Sequence, residues 1–69
     1  MNKQKIIKNI IELNNERGNL REKLMLPKDK AHLKHLLERI DSVTAEMSME
    51  IVYLENAVNK EQALLNMQD

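Results

Sequence analysis

Pro27 cannot sit inside a helix: its ring takes the place of a backbone N–H and clashes with the turn before it. It is the single proline of the chain, and it separates two segments whose apolar residues recur at helical spacing. Before it, Ile6, Ile10, Leu13, Leu20 and Leu24 follow alternating gaps of four and three, with Arg17 in the one polar place of the series. After it come Leu33, Leu36, Leu37, Ile40, Val43, Met47, Ile51, Leu54, Val58 and Leu65. At about 100° per residue these occupy roughly a third of the helix circumference. A strand would alternate with period two, and neither segment does. The expected fold class is all-α: an antiparallel hairpin of two unequal helices, coiled-coil-like, completed by oligomerisation or by a partner.

The boundaries follow from local chemistry. A residue before proline is pushed away from helical angles, so the first helix is expected to cover residues 3–25, with a turn at 26–29. Proline suits the start of a new helix, and Asp29 there complements the helix dipole. No glycine or proline follows Asp29, so the second helix is expected to cover 29–66, and the whole chain, 1–69, to form one domain. Gly18 weakens the first helix by about 1 kcal/mol relative to alanine. The stripe resumes in phase at Leu20, which predicts a kink or local fraying there at most. Folding about Pro27 pairs Leu24 with Leu33, Leu20 with Leu36, Arg17 with Ile40, Leu13 with Val43, Ile10 with Met47 and Ile6 with Ile51. These residues, Arg17 apart, are the expected hairpin core. At 1.5 Å per residue the helices reach about 35 and 55 Å. The second therefore overhangs the first.

Size sharpens that point. A chain of 69 residues supports one small core, and domains of this size bury only about 60% of their unfolded surface. There is no cysteine and no evident metal site, so the remaining route to stability is a second chain. No run approaches the roughly 18 apolar residues of a membrane span. The N-terminal apolar stretch is broken by Lys8, Asn9 and Glu12, unlike a signal-peptide core. The expected location is the cytoplasm, which the absence of cysteine fits.

The net charge of zero is unevenly spread: residues 1–37 hold nine Lys/Arg and four Asp/Glu, residues 38–69 two and seven. An antiparallel hairpin is expected to lay Lys3, Lys5 and Lys8 near Glu46, Glu50 and Glu55, compensating this field internally. Nucleic-acid binding through Lys3, Lys5, Lys8, Arg17 and Arg21 is the least favoured reading, because the one aromatic is Tyr53 and no dominant basic face results.

The surplus apolar surface points to protein binding. Met49, Val52, Tyr53, Ala57, Leu64 and Met67 lie off the stripe that faces the first helix, and Ile7, Ile11 and Met25 lie on a flank of the first helix. Such patches on a small chain mark interaction sites, and methionine and tyrosine suit them. The expected partner contacts are Met49, Val52, Tyr53, Ala57, Leu64 and Met67, with Ile7 and Ile11 as a second strip. The partner is another protein in the preferred reading. In the alternative the chain assembles with itself, as a helical-bundle regulator of phage or plasmid type. Arg17 in the seam either fixes register or lets its guanidinium snorkel toward Asp41 or solvent.

Nothing in the sequence calls for catalysis. There is no glycine-rich phosphate loop, and Ser42 and Ser48 lie mid-helix without the surroundings of a nucleophile elbow. His32 and His35 are three apart, but a stable zinc site needs further ligands and only Asp29 or Glu38 is near. Glu46 and Glu50 have no enclosing pocket. No cofactor and no metal are expected.

The series Leu20-Arg-Glu-Lys-Leu-Met-Leu26, Pro27-Lys-Asp-Lys30, Leu36-Leu-Glu-Arg-Ile40 and Met49-Glu-Ile-Val-Tyr53 resembles the small co-chaperones of type III secretion needle subunits over roughly residues 10–58. The resemblance lies in the overall pattern, with no defining motif. It implies a cytoplasmic chaperone or adaptor that joins a tetratricopeptide-like chaperone and guards a needle subunit prone to polymerise.

Overall fold

The computed structural model describes residues 2–67. It shows an all-α hairpin of two antiparallel helices, α1 at Lys3–Lys23 and α2 at Lys30–Met67. Of the expected 1–69 domain, Met1, Gln68 and Asp69 lie outside the described residues. The molecule is a rod of 61 × 15 × 14 Å, set by the length of α2.

Both ends of α1 and the start of α2 are held by neighbouring side chains or tightened backbone. The Asn2 side chain accepts from the Gln4 N–H at 2.9 Å, satisfying one of the unpaired donors at the start of α1. At the other end Arg21 and Lys23 complement the negative end of the dipole. The helix closes at Lys23, not Met25. The N–H groups of Met25 and Leu26 reach back three residues, to Glu22 and Lys23, the tighter bonding that commonly ends a helix, and Pro27 then blocks continuation. Asp29 precedes α2 and caps it: its carboxylate accepts from the His32 N–H at 2.7 Å. His32 Nδ1 in return accepts from the Lys28 N–H at 3.0 Å. The Asp29 half is that of a capping box, while the return bond is made to the residue before the cap, by imidazole instead of glutamate or glutamine. That bond gives the His32 Nδ1 a structural partner.

Gly18 lies within an uninterrupted α1, and its backbone does not enter the left-handed region.

The seam between the helices keeps a strict seven-residue repeat. On α1 the buried or half-buried series is Lys3, Ile6, Ile10, Leu13, Arg17, Leu20 and Leu24; on α2 it is Leu36, Ile40, Val43, Met47, Glu50, Leu54 and Ala57. Gaps of three and four alternate throughout, which is the pattern of a left-handed supercoiled pair. Ile6, Leu36 and Val43 are buried, at 3%, 2% and 2% exposure. Arg17 holds its seam position half-buried.

Two residues expected in the core are exposed. Ile51 is 42% exposed and Leu33 37%. The heptad carries the seam from Met47 to Glu50, so Ile51 falls one residue to the side, roughly 100° round the helix. Leu33 lies at the turn end, where α1 has already stopped at Lys23.

Charge pairing also differs from the expected scheme. Lys3 Nζ meets Glu61 Oε2 at 3.1 Å, and Arg39 donates to Glu16 Oε1 at 2.6 Å. Glu46 and Glu50 do not receive lysines. They line a shallow hollow with Asn9, Glu12, Leu13 and Glu16.

Candidate protein-binding faces

The seven-residue repeat gives the rod two different edges. On one edge stand the residues just before each seam pair: Asn9 and Glu16 of α1, and Arg39, Glu46, Tyr53 and Lys60 of α2. The Arg39–Glu16 bond crosses the helices there. On the opposite edge stand the residues just after each seam pair: Ile7, Asn14 and Arg21 of α1, and Leu37, Thr44, Ile51, Val58 and Leu65 of α2. The first edge is mostly charged, whereas α2's side of the second is almost wholly apolar.

The residues expected to bind a partner divide among these surfaces. Tyr53 of the first edge comes together with Ala57 and Leu64, which hold seam places of the repeat and not the off-stripe places expected. The three line a groove of about 380 Å³ with Lys3, Asn56, Lys60 and Glu61. The groove forms because α1 begins at Lys3 while α2 continues beyond it. One end is capped by the Lys3–Glu61 bridge, and the floor is the small side chain of Ala57. Tyr53 and Ala57 are half-buried and Leu64 is exposed.

Met49 and Val52 are exposed and lie on the back of α2, away from α1. Met67 is exposed at the end of the overhang. Ile7 and Ile11 are exposed as well, but on α1 toward the second edge. The eight residues are therefore not one face.

The second edge holds Ile51, expected in the core, together with Leu37, Val58 and Leu65 of the same apolar stripe. Leu37, Ile51, Val58 and Leu65 are all exposed, and Thr44 between them is half-buried. Their spacing of seven was the available signal: positions that share a heptad place with one another cannot share the place of Leu36, Val43 and Glu50.

Two of the side chains that could have suggested chemistry have local partners. The Ser48 hydroxyl donates to the Thr44 carbonyl at 3.1 Å, a bond within the helix. His32 completes the cap of α2. Among the described residues no three His, Asp or Glu side chains are grouped as metal ligands would be, and no helix is long and apolar enough to cross a membrane.

The fold and these edges define a class, the antiparallel two-helix coiled-coil hairpin with an overhanging second helix. Comparison with protein-family profiles, curated proteins and solved structures finds no match.

Proposed function

We propose that this chain is a non-enzymatic protein-binding module, a small chaperone or adaptor that holds a segment of another protein. The observation that carries the reading is the imbalance of burial. Three apolar side chains are buried, while thirteen large ones are exposed among the described residues. The other apolar residues of the seam, among them Ile10, Leu13, Leu20, Ile40, Met47 and Leu54, are half-buried. The hairpin therefore holds itself together while leaving much apolar surface open, and apolar patches left open on a small chain serve as contact surfaces.

The groove at Tyr53, Ala57 and Leu64 is the site proposed for the partner. It combines an apolar floor with Lys3, Lys60 and Glu61 at its margin, so an apolar side chain could be buried while flanking charges fix its direction. Each large side chain seated there contributes about 1.5–3 kcal/mol gross, reduced by the cost of association. In its finer form the reading is a co-chaperone of a secretion needle subunit, which the resemblance of residues 10–58 motivates.

The test is co-purification from the native cell with the wild-type chain and with Tyr53→Asp, each followed by circular dichroism. The reading expects a specific partner that is lost with the variant while helicity is kept. A complex that survives Tyr53→Asp unchanged removes the groove from the account.

A further inference from the structure

We propose that the apolar edge of α2 is the contact surface for a second copy of this chain, paired antiparallel about a two-fold axis at Ile51. The edge is self-complementary. Leu37, Thr44, Ile51, Val58 and Leu65 are spaced by seven, so the spacing is the same from either end, and the one unlike pair is Thr44 opposite Val58. A two-fold contact requires that if one residue meets another, the second meets the first. With Ile51 on the axis, Leu37 meets Leu65 of the second copy, Thr44 meets Val58, and Ile51 meets itself. No charged residue belongs to the series.

The rod's shape favours the same arrangement. Its turn end leaves Met25, Leu26, Leu33 and Leu37 exposed, and its open end leaves Leu64, Leu65 and Met67 exposed. Leu37 and Leu65 lie equally far from Ile51, about 21 Å along the helix. Antiparallel pairing therefore lays each copy's overhang against the other's turn end. Each half of the dimer becomes a three-helix layer: α1, the first part of α2, and the overhang of the second copy. Ile7 and Ile11, on α1's side of the same edge, flank the axis.

The contact area is adequate. A strip about 42 Å long across the 15 Å width of the rod removes roughly 1,200 Å² from water over both copies, the lower end of stable interfaces. The formal net charge of zero means that two copies approach without overall repulsion. The groove at Tyr53 lies on the opposite edge, so the dimer does not depend on the proposed partner site.

Sedimentation equilibrium of the full chain up to about 200 µM tests the proposal. The expected wild-type mass is about twice the 8.1 kDa of one chain. Ile51→Glu, which sets two carboxylates against each other on the axis, is expected to weaken the dimer by more than about 100-fold. Helicity should remain, since Ile51 is outside the hairpin seam, and Tyr53→Asp should leave the dimer intact.

Cysteine cross-linking fixes the direction, because the chain has no cysteine of its own. Ile51→Cys should form a disulfide with itself. Leu65→Cys should not, but should cross-link to Leu37→Cys when the two are mixed. A wild-type monomer at every concentration, a dimer that survives Ile51→Glu, or self-cross-linking of Leu65→Cys would each overturn the proposal.

Discussion

Lys3 and Glu61 are 58 positions apart in sequence and are joined end to end, Nζ to Oε2, at 3.1 Å. Their pairing marks where α1 ceases to cover α2. Both stand at seam positions of the seven-residue repeat, so the last layer of the hairpin is an ion pair and not an apolar contact. With side chains 40% and 54% exposed, the pair contributes little to stability. Its effect is positional: it ends the seam with polar atoms, beyond which Leu64, Leu65 and Met67 have no intramolecular cover.

The same repeat places Glu50 half-buried between Met47 and Leu54, beside Glu12, Glu16 and Glu46. A leucine there would continue the apolar seam and remove one of four neighbouring carboxylates. Glu50→Leu is expected to stabilise the hairpin by about 1 kcal/mol, roughly half the burial of a leucine side chain. Thermal unfolding followed by circular dichroism checks this, and a lower midpoint would mean that Glu50 has a partner the seam does not reveal.

Gly18 lies inside α1 with open space where a side chain would project. Alanine at this site should gain the helix propensity that glycine lacks, about 1 kcal/mol, without displacing any atom. Gly18→Ala is expected to raise the unfolding midpoint by about 4–8 °C. No gain, or a loss, would show that α1 bends at this position in solution.

Asp29 caps α2 through the His32 N–H, and His32 answers through Lys28. Asp29→Ala should cost about 1 kcal/mol, whereas Asp29→Asn, which keeps an acceptor oxygen, should cost much less. Urea titration of both variants separates the two outcomes. Equal losses would assign the effect to charge at the helix end instead of to the cap.

The helical class and the break at Pro27 were legible because the 3.6-residue stripes and the proline allow no other local structure. The seam was legible as far as Met47, where apolar residues and the heptad coincide. Beyond it they diverge: apolarity continues to Ile51, Val58 and Leu65, while the supercoil continues to Glu50, Ala57 and Glu61. Hydrophobicity alone selects the first series, and so Ile51, on a surface-facing edge, is placed in the core. The structure follows the second because the buried seam through Leu36 and Val43 fixes the seven-residue repeat. That repeat carries on to Glu50, Ala57 and Glu61, where Glu61 meets Lys3. The groove was only partly visible for a related reason. In the sequence Tyr53, Ala57 and Leu64 stand out as off the apolar stripe, but only the point at which α1 begins decides that they, and not Met49 or Val52, form a concave surface.

The central claim is that α2 presents more apolar surface than α1 can cover, and that a second chain completes it. Thermal unfolding of the wild-type chain over a hundredfold range of concentration tests this directly. If association is part of the folded state, the midpoint should climb by about 5–10 °C across that range. A midpoint that stays fixed at every concentration would show that association adds nothing to the stability of the folded chain, and the account would fail.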